Sequence, residues 1–459
     1  MVKKIVKLSS KIIKSKKESQ DEAISSAHSS SNKTYDFLEH LESIKKRPDT
    51  YVGSVVENDI VTKIAIPFKE NQTNTEEIPE HTFDEPILVD EKIRLVAGLI
   101  QIYGEILGNA IDNSFIGEVE NPTTKIWIDV DAKTGTTSIK NNGSGIPVEK
   151  HERAQMYIPE MVFCKLISGS HFDDNQKRKS SGRNGYGAKL TNAFSDIFIV
   201  ETIDKKRLLK FYQRHYDGMT GRDEPIITPI KKGDEEFTKI TWIPTFSRFG
   251  LSGYNNAHLQ KMHMMAYQAG MITQAEIYFN GMKIYIPSLQ NYTKLIYPSL
   301  NSMSFESDNS DVVLIEKDAE DQDDFQHCCY VNGIQTQEGG VHLDKWSDAI
   351  FRPLLDAVNN KITSRSDDIK LTIKDLKMRF ILFVKCTLIN PSFDSQTKNR
   401  LNAPEPEIIP PTTKQIKEIL KWPFVEYMTA KVEQKTKILL NGVCSKRGHF
   451  RCIPKLTDA

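Results

Sequence analysis

Leu99-Ile100-Gln101-Ile102-Tyr103-Gly104-Glu105-Ile106-Leu107-Gly108-Asn109-Ala110 lies within a stretch, 95–115, where Leu95, Leu99, Ile102, Ile106, Ala110 and Ile111 recur mostly three or four residues apart. That spacing collects side chains on one face of an α-helix, so the stretch predicts an amphipathic helix against a core. Glu105 and Asn109, four apart, then point the same way. A carboxylate beside an amide can orient water and hold a metal ion, although many solvated helix faces carry the same pair. Here Glu105 sits within one turn of apolar Ile102 and Ile106.

Working outward, Ile126 to Val130 and Thr137 to Lys140 read as a hairpin turning near Lys133-Thr134-Gly135. Residues 197–202, 208–213 and 237–242 add further β signal, so this half predicts helices on one antiparallel or mixed sheet. A second block carries strands at 275–279, 312–314 and 328–331, a helix from about Leu343, and a strongly apolar strand from Arg379 to Leu388. That order predicts a βαβ-type domain. The polar stretch from Lys69 to Glu85 reads as a surface loop. Residues 1–33 are Lys-rich and then Ser-rich, with too few apolar side chains to fold alone, and read as a flexible tail. Its lysines (Lys3, Lys4, Lys7, Lys11, Lys14, Lys16, Lys17) suit a nuclear address, a DNA contact or simple solvation.

At 459 residues with 39% hydrophobic content, the chain has room for two or three domains. Lys+Arg and Asp+Glu both number 61, so any polyanion contact must be local rather than driven by net charge. Apolar runs such as Phe380 to Val384 fall far short of the roughly 20 residues that span a bilayer, and the N-terminus has no apolar signal core, so a soluble intracellular protein with no membrane partner is expected. Six scattered cysteines suggest a reducing compartment. Cys444, His449 and Cys452 lack a nearby fourth zinc ligand, and ordinary thiols are the simpler reading.

Two glycine-rich segments are candidates for close backbone approach. Asn141-Asn142-Gly143-Ser144-Gly145-Ile146-Pro147 follows a predicted strand and, taken alone, is a turn. Gly182-Arg183-Asn184-Gly185-Tyr186-Gly187-Ala188-Lys189 leads into a helix, where free N–H groups and the helix dipole suit an anion. Ala188 before Lys189 and Leu190 after it exclude a Walker A loop. Some 200 residues on, Pro391-Ser392-Phe393-Asp394-Ser395-Gln396-Thr397-Lys398 follows the apolar strand. The significance of Lys398 depends on whether the chain folds it back onto the phosphate loop.

In this order the elements resemble the GHKL ATPases, and closely the ATPase and transducer regions of eukaryotic-type (type IIA) DNA topoisomerase II. The resemblance runs from about Tyr35 to Ala459, and its most specific pieces are Arg47 to Ser54, Glu105 to Ala110, Asn141 to Pro147, Gly182 to Lys189 and Phe393 to Lys398. It implies an α+β fold: a GHKL (Bergerat) sandwich of helices on a mixed sheet over 34–275, then a βαβ-type transducer over 276–437. Residues 438–459 look like the lead-in to a Toprim domain, so a chain that hydrolyses ATP without cutting or relaxing DNA is expected.

The same resemblance implies ATP and Mg²⁺ as cofactors. Glu105 would be the general base and Asn109 the Mg²⁺ ligand, while Asn141 would recognise adenine, with Gly143 and Gly145 letting the backbone pass close to it. Gly182, Arg183, Asn184, Gly185, Tyr186, Gly187, Ala188 and Lys189 would cover the triphosphate. Ser170 would touch the ribose, in a segment where Gly169 and His171 depart from the family pattern of two serines and an asparagine. Gln396, Thr397 and Lys398 would reach from the transducer to the γ-phosphate. The partners implied are a second copy, in an ATP-dependent dimer with an N-terminal strap in which Tyr35 touches the partner's nucleotide, and double-stranded DNA passing through the dimer cavity. Residues 363–370 place Asp367 and Asp368 where the family often carries lysines, so weak DNA stimulation is expected. A Lys-, Ile- and Asn-rich composition suits an AT-rich genome, which implies the nucleus for a cellular source and a viral factory or virion for a viral one. The alternatives are a nucleotide-responsive clamp without useful turnover and a chaperone or mismatch-repair GHKL ATPase; Arg47 to Ser54 and Gln396 to Lys398 argue against the latter.

Overall fold

In a computed structural model of the chain, the structure describes residues 40–66, 87–115, 121–166, 186–273, 275–318, 324–362, 370–394 and 398–447, the last eleven by backbone alone. A two-stranded hairpin, β1 (Asn58–Ala65) and β2 (Leu88–Leu95), precedes the helix Ala97–Asp112. The first large sheet follows: β3 (Lys125–Asp131), β4 (Thr136–Asn142), β5 (Ser195–Asp204), β6 (Leu209–Tyr216), β7 (Gly221–Arg222), β8 (Ile226–Pro229), β9 (Phe237–Pro244), β10 (Glu276–Phe279) and β11 (Met282–Ile284). Its order is β11-β10-β3-β4-β9-β5-β6-β7, with β8 also on β6; β10 against β3 is parallel and the other pairings are antiparallel.

The helix, the β3–β4 hairpin and its turn stand where the sequence predicts them, with Gly135 at φ +71° closing the turn. One placement differs. The strand read at the head of the second block, 275–279, belongs to the first sheet, because Glu276 to Phe279 pair with Lys125 to Ile128. The first sheet therefore continues to Ile284, past the boundary expected at residue 275.

Helices cover one face of this sheet. Ile106, Leu107 and Ala110 meet Ile126, Ile128 and Ile139 in one core, which the helix Asn256–Ile272 joins through Met262, Ala266 and Ala269. The segment Arg47–Ser54 docks at the start of Ala97–Asp112, where Gly98 donates its N–H to the Ser54 carbonyl at 2.8 Å. Just before it, Val96 donates its N–H to His258 Nε2 at 3.1 Å, so the helix entry is tied to the second long helix.

The second sheet has the order β12-β13-β16-β14-β15, from β12 (Ser302–Ser307), β13 (Ser310–Glu316), β14 (Gln326–Val331), β15 (Ile334–Gln335) and β16 (Phe380–Cys386). Strands β14 and β16 are parallel and joined through the helix Val341–Ile362, as a βαβ unit requires. Side chains alternate across a strand, and both faces are covered. Phe380, Leu382 and Val384 pack on Trp346, Ile350 and Leu354 of that helix, whereas Ile381 and Phe383 join the first domain's core. This double burial explains the unbroken apolar run.

Four histidines, His215, His258, His263 and His342, are buried, and burial pushes each from 6.5 down to about 4. A depressed histidine pKa means the folded chain binds fewer protons than the unfolded one, so this stability is fully present above about 6.5 and is lost as pH falls towards 4. The melting temperature at pH 5 should lie below that at pH 7.5; an equal or higher value would show that these rings are protonated without penalty.

Candidate functional site

Glu105 is half-buried on the inner helix, and Gln101, one turn before it, donates Nε2–H to Glu105 Oε1 at 2.6 Å. Over it lies the start of the helix Gly187–Ala193: a Cβ at Gly187 would overlap the Glu105 carboxylate, so a side chain there would push that carboxylate aside. Thr191 Oγ1 donates to the Ile102 carbonyl at 2.8 Å and locks the two helices together. Burial pushes the Glu105 carboxyl above its usual value, opposed by the Gln101 hydrogen bond and by the charge of Lys398. Lys398, more than 290 residues downstream, folds back to within electrostatic reach of Glu105. It is half-buried, with a left-handed backbone at φ +57°.

Asn109 stands exposed one turn beyond Glu105 on the same face, its side chain open to solvent. Asn141 is buried, on the same face of β4 as Ile139, and so faces the helices. Its Nδ2 donates to Thr123 Oγ1 at 3.3 Å and to the Asn142 carbonyl at 3.0 Å. Asn113, at the end of the inner helix, donates to the same Thr123 hydroxyl at 2.8 Å, which ties Asn141 to that helix. Asn142 points the other way, accepting from the N–H groups of Thr124 and Lys125 at 2.8 Å each.

The two glycines of this turn make their close approaches to the chain itself. Gly143, at φ +93°, leaves no room for a Cβ beside the Pro122–Thr123 backbone, and a Cβ at Gly145 would overlap the Ile203 carbonyl. Ile146 and Val148 donate their N–H groups to Thr202 Oγ1 at 3.0 Å and Asp204 Oδ2 at 2.8 Å, fixing the turn on β5.

Tyr186 precedes the helix Gly187–Ala193, with its ring against His40 and Tyr51 at centroid distances of 6.1 and 6.5 Å. Its carbonyl accepts from the N–H groups of Lys189 and Leu190, each at 3.0 Å, whereas those of Gly187 and Ala188 have no acceptor within the helix. Lys189 is buried, which lowers its amine to about 8. The structure thus brings together Glu105, Asn109, Tyr186, Gly187, Ala188, Lys189 and Lys398 around the inner helix, with Asn141 on the sheet behind it. Tyr35, Ser170, Gly182, Arg183, Asn184, Gly185, Gln396 and Thr397 lie outside the described residues, as do 363–369 and the His449 and Cys452 of the zinc reading.

A Mg²⁺ ion fits the donors present. Asn109 offers an exposed neutral amide oxygen, and no cluster of three or more His, Cys, Asp or Glu side chains exists among the described residues. Sequence reading missed Gln101, although its spacing of four from Glu105 marks it, and His258, whose contact with Val96 has no local signature.

Residues 95–207 match the family model described as histidine kinase-, DNA gyrase B-, and HSP90-like ATPase, which sets the first domain in the GHKL class. Residues 281–448 match the DNA gyrase B model. DNA topoisomerase 2 of Saccharomyces cerevisiae is 34% identical over 395 residues, which cover 81% of this chain and 26% of that protein. DNA topoisomerase 2 of Acanthamoeba polyphaga mimivirus is 32% identical over 364 residues, covering 78% and 27%. The crystal structure of the ATPase region of S. cerevisiae topoisomerase II superposes with a TM-score of 0.73 at 29% identity, covering 87% of this chain and 100% of that one. The chain belongs to the type II DNA topoisomerases and carries their ATPase and transducer regions. It spans about a quarter of the length of the two curated relatives. No helix among the described residues is long and apolar enough to cross a membrane.

Proposed function

We propose that this chain binds and hydrolyses ATP with Mg²⁺ and serves as the nucleotide-operated gate of a type II topoisomerase. The observation that carries the reading is the convergence of Glu105 and Lys398, from two domains, on one site roofed by Gly187. Asn141 would accept a hydrogen bond from the adenine amino group through its amide oxygen, since its Nδ2 is already engaged with Thr123 and Asn142. The N–H groups of Gly187 and Ala188, with Lys189, would receive the phosphates. Glu105 would take the proton of the attacking water, and Lys398 would stabilise charge as the γ-phosphoryl group leaves. Bound at Asn109, Mg²⁺ would neutralise phosphate charge.

Because Lys398 follows the second sheet while Glu105 sits on the first domain, loss of the γ-phosphate removes a tie between them. Nucleotide state would then set the angle between domains. ATP would also drive formation of a two-fold dimer, with Tyr35 and the other N-terminal residues crossing to the partner and DNA passing between the two copies. The same chemistry would serve in a nucleus or in a viral factory, and the relatives include both cellular and mimivirus enzymes.

The test is Mg²⁺-dependent ATP turnover per chain across micromolar protein concentrations. Turnover that climbs and then levels off is expected, since mass action governs assembly of the dimer. Turnover independent of concentration would remove the dimer from the mechanism, and bound nucleotide without turnover would make the chain a passive clamp.

A further inference from the structure

We infer that the segment from Glu338 to Asp344, a turn that runs into the start of the helix Val341–Ile362, acting through Gly339, Gly340 and the side chain of Arg400, is the device that positions Lys398; the inference rests on the role proposed above for that lysine. The residues immediately after Lys398 have little freedom. Glu338 donates its N–H to the Asn399 carbonyl at 2.9 Å, and Leu401 donates its N–H to the Gly339 carbonyl at 3.0 Å. Gly340 forms a parallel bridge with Leu401. On the other side, Asp394 donates its N–H to the Arg400 carbonyl at 3.2 Å, and Arg400 returns its own N–H to Asp394 Oδ1 at 3.3 Å. Residues 399–401 are thus gripped from both edges, and Leu401 is fully buried.

Two glycines make the grip possible. Gly339 and Gly340 have φ of +69° and +128°, and a Cβ on Gly340 would meet the Leu401 nitrogen at 2.6 Å. Only a residue without a side chain lets these backbones approach so closely. Arg400 adds a direction to the contact, with Nη1 donating to the Glu338 carbonyl at 3.3 Å and Nη2 3.6 Å from Asp344 Oδ2. Both side chains are exposed, so the pair adds little to stability; its effect is on where the loop points.

The turn is itself held at a fixed place. Thr336 donates its N–H to the Cys329 carbonyl at 2.9 Å, and its hydroxyl lies 3.1 Å from His342 Nε2, with both side chains fully buried. Just upstream, the turn between β14 and β15 rests on the inner helix: Gly333 stands where a Cβ would meet Ile111 at 3.2 Å and Ile272 at 3.3 Å. One short segment therefore touches the helix bearing Glu105 at one end and grips the residues after Lys398 at the other. It fixes the separation of the base and the cation, which reacting groups need held to a fraction of an ångström.

The experiment compares Arg400→Ala, Arg400→Lys, Lys398→Ala and the Arg400→Ala/Lys398→Ala double variant in the full chain, by ATP turnover and nucleotide binding. Arg400→Ala is expected to lower kcat about tenfold with KM changed less than about twofold, the mark of a misplaced transition-state group. Arg400→Lys, which keeps a donor near the Glu338 carbonyl, should recover part of the loss. In the Lys398→Ala background, Arg400→Ala should do nothing further, which a general loosening of the fold would not produce. Effects that multiply, or an unchanged kcat in Arg400→Ala where Lys398→Ala is impaired, would overturn the positioning role. Full activity in Lys398→Ala would instead overturn the role of Lys398, and the inference with it.

Discussion

Replacing Glu105 with Gln should lower ATP turnover by about 10²–10⁴-fold while nucleotide still binds. The amide keeps the size of the side chain and the acceptor that faces Gln101, but it cannot take a proton from water. The pH profile provides a second reading of the same residue. Burial raises the Glu105 carboxyl above 4.5, against the pull of Gln101 and Lys398. A general base works only when ionised, so turnover is lost as pH falls through that raised value. The acid limb of kcat should therefore lie above the range of an ordinary glutamate, and it should vanish in Glu105→Gln. A limb at the ordinary value, or a variant that keeps its turnover, would remove Glu105 from the proton transfer.

Lys398→Met is expected to cost about 10²–10³-fold in kcat, the scale on which loss of one preorganised charge-stabilising group is felt. It carries a second signature. Lys398 lowers the Glu105 pKa, so its removal lets that value rise, and the acid limb of the residual activity should move to higher pH. Reduced turnover with an unmoved limb would place Lys398 away from Glu105 in the working enzyme. Unchanged turnover would exclude it from the reaction.

Local physics made much of this chain legible. The helix Ala97–Asp112 shows an apolar stripe because only one face is buried, and β16 shows an unbroken apolar run because both faces are. The helix Asn256–Ile272 gave no such signal. His258, His263, Met264, Ala266 and Ile272 lie on different sides of it and are all buried, which erases the periodicity that marks a surface helix. The sequence places β10 in the second block, whereas its sheet is decided by pairing with Lys125 to Ile128, some 150 residues earlier. At the site, spacing put Glu105 and Asn109 on one helix face and the glycine-rich segment before a helix start, while their roles came only from the family resemblance. The approach of Lys398 to Glu105 and the contact of Gly340 with Leu401 could not, since each joins positions distant in the chain.

Strand β16 has a mechanical consequence. Its residues alternate between two cores, with Ile381 and Phe383 engaged on the ATPase side and Leu382 and Val384 on the helix Val341–Ile362. A push arriving from the loop beyond its end cannot slide one set of side chains without dislodging the other. Close-packed interiors do not stretch by degrees; they jump between packings. Such a strand would act as a ratchet pawl rather than a spring: small tugs would die at its root, and only a displacement large enough to reseat both rows at once would pass through to the far side of the domain.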